Sequence, residues 1–400
     1  MTIRQDRGIL FSTGFLRSLA TGTLGVMLGI YLSQIGLSPA SIGYVVGAGL
    51  AGGAVAALLI TIFGDRLPRR ATLVSIALLS SAGAAAAAAS DTAWVLALVS
   101  FLGMLNGMGR DRGAALVLEQ ALLPQTSNDQ NRTKTFAWFN VLQDSGHAIG
   151  GLIVGFPLLI GIGSDHDPSA QHKALLLFCA ILMLVTALLY TRLSLSIVAA
   201  PRSKLSPVSP ETKKVVGKLS GLFLLDSLGG GFLTTALISF FFFERFGVSV
   251  QTVGILFFAA RVLNALSHLG AAWLARRIGL VNTMVFTHIP SSIFLASVGF
   301  APNFTVAAIL FLLREGLVEM DVPTRQSYVM AVVKPEERTF ASGATSLVRL
   351  GGWAIAPAFA GLIMQGVSLA TPLIAGAGLK ILYDVLLFRS FRKLKPPEEV

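Results

Sequence analysis

Gly64-Asp65-Arg66-Leu67-Pro68-Arg69-Arg70 separates two apolar runs, residues 40–63 and 71–89. A run of roughly 20 mainly apolar residues is what a helix needs to cross the hydrocarbon core of a bilayer. Two such runs joined by a short, charge-dense loop read as a membrane hairpin with its loop on one surface. Working outward, the same pattern recurs near 9–33, 93–117, 134–161, 173–192, 219–243, 250–274, 280–300, 304–327, 340–365 and 370–388. The breaks carry turn or charge signals, among them Gly36-Leu37-Ser38-Pro39, Ser90-Asp91 and Pro302-Asn303. No period-two strand pattern competes, so the expected fold is all-α with twelve transmembrane helices. Composition agrees: of 400 residues 54% are hydrophobic and 13% charged, with a mean hydropathy of +0.74. A soluble chain carries about 25% charged residues, so these charges could not clothe two or three soluble domains. One cysteine, Cys179, excludes a disulfide scaffold.

The formal charge of +11 finds its explanation in where the cations fall. With the N-terminus inside, the inner face collects Arg4, Arg7, Arg66, Arg69, Arg70, Arg132, Lys134, Arg192, the lysines of 204–218, Arg276, Arg277, Arg338 and the basic C-terminal tail. The outer face holds only Lys173 and Arg245, beside Asp91, Asp165, Asp167 and Glu244. This bias predicts both termini in the cytoplasm and leaves no surplus charge that calls for nucleic acid. Arg4 and Arg7 ahead of an apolar run imitate a secretory signal, but no convincing small-residue cleavage site follows, and the segment reads as a retained first helix.

The chain also repeats. Gly36 and Gly247 each end an apolar run, Gly43 and Gly254 each open the next, and Pro124 pairs with Pro335, all at a shift of 211. Past a longer loop, Arg132-Thr133, Gly146, Ala148, Ile149 and Gly155 match Arg338-Thr339, Gly352, Ala354, Ile355 and Gly361 at a shift of 206. The expected organisation is therefore two pseudo-symmetric six-helix bundles, 1–195 and 218–400, joined by a polar cytoplasmic linker at 196–217 that contains Pro201, Pro207 and Pro210.

Two parallel six-span halves describe the major facilitator architecture, and the loop quoted above resembles that superfamily's Asp-Arg-x-Gly-Arg-Arg motif. Asp65, Arg66, Arg69 and Arg70 match it; Pro68 stands for the family glycine and Thr61 for the glycine one turn earlier. The second-half counterpart, Arg276-Arg277-Ile278-Gly279, keeps the glycine and lacks the acid. The Arg-x-x-x-Gly-x-Gly pattern of drug–proton antiporters is absent from span 4, where Gly103 occupies the arginine position, while span 10 carries Arg314. The resemblance implies a bacterial inner-membrane secondary transporter, monomeric, driven by an ion gradient and most simply by protons. It also implies that Asp65, Arg66, Arg69 and Arg70 form a conformational-switch loop.

Charges at bilayer depth are costly unless they face a cavity or a partner, which makes each a functional candidate. Spans 1 and 7 are repeat mates, and Arg17 in the first and Asp226 in the second are expected to pair as a coupling element or as a structural lock. Span 4 holds Arg110-Asp111-Arg112 and Glu119; span 10 holds Arg314, Glu315, Glu319, Asp321 and Arg325, with Arg110 falling opposite Asp321 under the repeat. Glu315 and Glu319 share a helical face, and neighbouring acids in low dielectric favour proton uptake. Asp111, flanked by two arginines, is expected to stay ionised. Arg325 reads as a helix-end partner of Asp321. In spans 5 and 8, Asp144 and Arg261 form a candidate gate pair, near His147 and His268, and Arg349 in span 11 is a further cavity residue. Lys380 and Asp384 in span 12 read as a self-contained pair, and His288 is assigned no role. The substrate-binding candidates are thus Arg17, Arg110, Arg112, Arg261, Arg314 and Arg349; the proton-coupling candidates are Glu315, Glu319, Asp321, Asp226, Asp144 and Asp111.

Other chemistry lacks anchors. Gly47-Ala48-Gly49-Leu50-Ala51-Gly52 fits a dinucleotide pattern but lies inside an apolar span with no preceding strand, so close helix packing explains it. There is no Walker loop, His-Glu-x-x-His, cysteine pair or Gly-x-Ser-x-Gly, so no enzyme, metal or cofactor is expected. The reading is a proton-coupled secondary transporter of a small anionic or zwitterionic solute, because guanidinium groups bind carboxylate and phosphate in bidentate fashion. Export is favoured slightly over import. The alternatives are a multidrug or cationic-compound antiporter and, more remotely, a non-transporting sensor or scaffold. Reporter fusions after Leu37 and after Lys395 should report outside and inside respectively; an outside C-terminus would end the topology.

Overall fold

The computed structural model describes residues 3–63, 67–127, 132–159, 169–194, 208–334 and 337–391. Among these the only regular structure is helical. The first half contains α1 (Ile3–Gln34), α2 (Pro39–Phe63), α3 (Arg69–Ala88), α4 (Ala93–Gly103), α5 (Ala114–Leu122), α6 (Arg132–Ile153), the short α7 (Phe156–Leu159) and α8 (Ala170–Thr191). The second contains α9 (Pro210–Gly231), α10 (Thr235–Phe246), α11 (Val250–Ile278), α12 (Leu280–Val298), α13 (Phe304–Val318), α14 (Asp321–Ala331), α15 (Arg338–Gly366) and α16 (Thr371–Phe391). These supply the twelve expected spans. Large apolar side chains such as Trp94, Ile181, Ile255 and Phe300 lie more than half exposed, a surface suited to lipid rather than water.

Among the described residues span 5 breaks near its end, between α6 and α7, and spans 4, 7 and 10 break well inside their length. Span 4 stops at Gly103 because Met104 turns left-handed (φ 53°), and the backbone stays non-helical until Ala114. Span 7 breaks after the Gly229-Gly230-Gly231 run and restarts behind the Thr234 cap, whose hydroxyl accepts from Leu237 N–H. Span 10 breaks at Glu319-Met320, just ahead of Pro323, which brings no N–H to the helical ladder. Interrupted helices at membrane depth persist only where protein or a cavity satisfies the freed backbone.

By packing, the chain forms two compact units, Met1–Ser203 with Thr234–Phe258, and Lys204–Leu233 with Ala259–Val400. In the first, α1 is the central post: every residue from 17 to 32 is buried. Gly22, Gly25 and Gly29 form a stripe that lets three backbones approach it. A Cβ at Gly25 would lie 2.5 Å from Cα of Gly109; one at Gly22 would strike the His147 carbonyl, and one at Gly29 the Ala236 carbonyl. The break in span 4 is tied to the start of α10, where Ala236 N–H donates to the Gly107 carbonyl (3.0 Å) and the Thr235 hydroxyl to that of Met108 (2.9 Å). Farther along, the Ser33 hydroxyl donates to Glu244. The dinucleotide-like glycines pack as expected, Gly49 and Gly52 lying against the Leu105 and Phe101 carbonyls.

The second unit centres on α9, α12, α14, α15 and α16, whose core includes Phe223, Met284, Tyr328, Ala341, Tyr383 and Phe391. Its helices are pinned at one end by Glu337. That carboxylate accepts from Ser209 N–H (2.6 Å), from the Ser209 hydroxyl (3.0 Å) and from the Thr212 hydroxyl. The Thr212 hydroxyl foremost, then the Ser209 amide, hold Glu337 below the usual glutamate value. A depressed folded value stabilises above the unfolded value and is lost as pH falls through the folded one.

Gly29→Val should therefore destabilise the protein by roughly 1–3 kcal/mol through overpacking, whereas Gly53→Ala, with open space around it, should not; thermal unfolding in detergent compares them. Lowering pH below the ordinary glutamate value should weaken the wild type more than Glu337→Gln in the same measurement, and parallel pH curves would refute the pin.

Candidate functional site

Each unit encloses a network of charged side chains at bilayer depth. In the first, Arg17 of α1 donates through Nε and Nη2 to Asp111 Oδ2 (3.0 and 2.8 Å), and Nη1 lies 2.6 Å from Glu119 Oε1 and 2.5 Å from the Tyr190 hydroxyl. Tyr190 in turn donates to Glu119 Oε1 (2.7 Å), and the Thr13 hydroxyl lies 2.5 Å from the same oxygen. Asp111 sits in the non-helical segment of span 4. Its Oδ1 accepts from Gly113 N–H (3.2 Å), and its own N–H donates to His147 Nε2 (2.8 Å). The side chain of Asn106 closes the same segment, bonding the Arg110 carbonyl (2.7 Å) and Met108 N–H (2.8 Å).

In the second unit Asp226 is the hub. Lys380 Nζ donates to Oδ1 (2.8 Å), while Arg325 Nη1 and Arg349 Nη2 lie 3.4 and 3.7 Å from Oδ2. Arg325 also pairs with Asp321 one turn away on α14 and lies over the Phe223 ring. Lys380 Nζ approaches His288 Nε2 (3.3 Å), and His288 Nδ1 meets Asp384 at 2.9 Å. An ammonium only donates, so Nε2 accepts and Nδ1–H donates to Asp384, which selects one neutral tautomer. Three acids, Asp226, Asp321 and Asp384, thus face three cations, Lys380, Arg325 and Arg349. Nearby, Glu315 is buried, accepts from Asn264 Nδ2 (2.9 Å) and pairs with its neighbour Arg314.

This arrangement revises several expectations. Arg17 and Asp226 do not need each other, because each finds its counter-charges within its own unit. Lys380 and Asp384 are not a self-contained pair: Lys380 serves Asp226, and Asp384 serves His288, which therefore does have a place. Arg325 bonds Asp321 as expected and reaches Asp226 as well. Glu315 is buried and hydrogen-bonded, whereas Glu319 is half-buried at the end of α13. Asp144 is exposed on α6; Arg110 and Arg112, in the span 4 break, and Arg261, on α11, are half-buried. Of the loop motif, Asp65 and Arg66 lie outside the described residues; Arg69 and Arg70 begin α3, and Arg70 Nη1 contacts the Leu193 carbonyl at 3.4 Å. Thr13, Tyr190, Lys380 and Asp384 complete the networks with partners that no sequence pattern pointed to; only their polarity inside apolar spans marked them.

A profile of the Major Facilitator Superfamily matches residues 10–357, and again 219–400. The chain belongs to the major facilitator superfamily. It is a multi-pass membrane transporter of that superfamily. It is 24% identical over 417 residues to the uncharacterized membrane protein YJR124C of Saccharomyces cerevisiae, covering 96% of this chain and 93% of that one. It is 27% identical over 190 residues to the multidrug resistance protein MdtG of Enterobacter lignolyticus, covering 46% of this chain and 42% of that one. Among solved structures, the nucleoside transporter NupG superimposes with a TM-score of 0.77 at 17% identity, covering 97% of this superfamily member and 99% of NupG.

Removing one partner of a buried ion pair strands the other, at about 3–5 kcal/mol. Asp226→Asn should cost the transporter that much. Asp226→Asn with Lys380→Met should lose clearly less than the two single losses added, since one stranded charge leaves with its partner. Additive losses in thermal unfolding would show that the Asp226–Lys380 contact carries no coupling.

Proposed function

We propose that this superfamily member is a proton-coupled secondary transporter of a small anionic or zwitterionic organic solute, working by alternating access in a bacterial inner membrane with both termini cytoplasmic. The single observation that carries the substrate class is Arg349. Its ion pair is the longest of the three cations' contacts with Asp226, and its guanidinium lies 4.6 Å over the Trp353 ring. Its side chain is 16% exposed, against 3% for Arg325 and 9% for Lys380. A guanidinium stacked on an indole and only loosely held by its own acid is arranged to exchange that acid for a substrate carboxylate or phosphate. Arg17, Arg110, Arg112, Arg261 and Arg314 are the further candidates for anionic groups of the substrate in this reading, and export is favoured slightly over import. The broken spans 4, 7 and 10 support the alternating-access part, since a break lets the two halves of a span move separately.

The partial identity to MdtG favours a second reading, a multidrug or cationic-compound proton antiporter that would use Glu315, Glu319 or Asp144 directly on the substrate. The two readings separate in a thermal-shift screen of purified protein against benzoate, glutamate, uridine monophosphate, xylose and ethidium, followed by counterflow in proteoliposomes with any compound that stabilises. Stabilisation by the anions, reduced about tenfold in affinity by Arg349→Gln and partly recovered by Arg349→Lys, is the expected result. Stabilisation by ethidium alone would transfer the case to the second reading.

A further inference from the structure

Under the shift of 211, Arg276 stands where the first half has Asp65, and Arg277 where it has Arg66. The second-half loop has thus exchanged its acid for a second cation. Arg276 and Arg277 lie in the last turn of α11, and Gly279 alone connects that helix to α12. Gly279, in the left-handed region (φ 85°), donates its N–H to the Ala275 carbonyl (2.9 Å), and its own carbonyl accepts from Thr283 N–H (3.1 Å). Both guanidinium groups therefore leave from a closed helix end and not from a long loop.

Both side chains are exposed, and among the described residues neither forms an ion pair or a hydrogen bond. The arginines of the two buried networks each lie against a carboxylate; these two carry their charge unanswered. Arg277 instead lies over the Trp273 ring at 4.6 Å, and that indole is itself 51% exposed. Trp273 continues an apolar stripe. Val262, Leu266, Trp273 and Arg277 follow at steps that keep them on one helical face, and Val262 and Leu266 are 43% and 58% exposed. From Val262 to Trp273 the helix rises about 16 Å, close to the ~15 Å depth of one hydrocarbon leaflet. Apolar side chains, then a tryptophan, then two arginines follow the order of a phospholipid from acyl chain through interface to phosphate.

We propose that this end of α11 binds the headgroup of an anionic phospholipid, with Arg276 and Arg277 on its phosphate and one acyl chain along Trp273, Leu266 and Val262. A phosphodiester offers the two oxygens that a guanidinium fork takes in bidentate fashion. Charge selects among lipids: a zwitterionic headgroup brings a cation of its own against two unpaired arginines, whereas a net-anionic one neutralises them. Stacking on Trp273 holds the Arg277 fork at headgroup height before the lipid arrives, which lowers the ordering cost of binding. A free phosphate would meet the same arginines but gain nothing from the stripe below them, so the surface fits a lipid. The site needs only the chain's place in a membrane; it depends neither on the substrate nor on proton coupling.

Native mass spectrometry of the full-length protein in detergent, titrated with phosphatidylglycerol, phosphatidylcholine or inorganic phosphate, counts the bound molecules and reads their affinities. Wild type should retain one phosphatidylglycerol more tightly than the rest, and phosphatidylcholine about tenfold more weakly. Arg276→Gln with Arg277→Gln should weaken that tightest step by about tenfold, and Arg277→Lys by less. Lys213→Gln with Lys214→Gln removes two exposed charges from the start of α9 and should leave the step unchanged. Neither pair should shift thermal unfolding of the delipidated protein, since all four side chains are exposed. Equal losses from the two pairs would reveal diffuse attraction to a basic surface and overturn the site. It is overturned equally by a tightest step that the arginine pair leaves unchanged, by phosphatidylcholine filling that step as well, or by full competition from inorganic phosphate.

Discussion

Everything in this molecule follows from the cost of placing a charge where water is absent. At the centre of a spanning helix an arginine or aspartate costs ~2.5–3.5 kcal/mol on insertion scales, and the chain places more than a dozen charges in its spans. The hubs of the two networks, Arg17 and Asp226, persist because helices distant in sequence bring opposite charges against them. Arg17 and Glu119 are separated by about a hundred residues, and Asp226 and Lys380 by 154. The networks are therefore folding constraints before they are functional parts. A helix that failed to dock would expose a charge to lipid, so correct packing of α1 with α5 and α8, or of α9 with α14 and α16, is enforced electrostatically as well as sterically.

The same constraint explains why the glycines matter. Ion pairs between helices need side chains to meet head to head, and that requires backbones close enough for short contacts. The stripe of Gly22, Gly25 and Gly29 brings α1 against the span 4 break, α6 and α10 at once. It thereby lets Arg17, less than two turns away, reach both Asp111 and Glu119. Small residues and buried charges are two halves of one arrangement: the first permits the approach and the second makes it specific.

Much of the fold was legible in the sequence. Apolar run length located the spans, and the 211-residue shift suggested a two-bundle fold, though packing groups Thr234–Phe258 with the first unit. The breaks were less legible, because hydropathy is indifferent to whether a run such as 93–117 is helical throughout. Gly103, Gly107, Gly109 and Gly113 were the available signal, but this stretch was weighed only against the antiporter pattern, with Gly103 at the arginine position. Ion-pair partners were least legible of all. Repeat symmetry suggested Arg17 with Asp226, but symmetry relates positions, not contacts. Arg17 found its acids on α5 and the span 4 break, and Asp226 found its cations on α14, α15 and α16. His288 was assigned no role and Lys380 was paired with Asp384 on its own helix, because a residue carries no mark of the helix it will face.

The two networks are wired differently although the sequence repeats. In the second unit Asp226 gathers cations from three helices, and the tautomer imposed on His288 ties Lys380 to Asp384 in the same cluster. In the first a single side chain does the joining: Arg17 divides its guanidinium between Asp111, in the non-helical segment of span 4, and Glu119 on α5, while Tyr190 of α8 bonds both Arg17 and Glu119. The break in span 4 is thereby anchored to α1 and α8 through one arginine, so a change at that residue should loosen several elements at once. Pseudo-symmetry of the sequence thus coexists with two different ways of satisfying a buried charge.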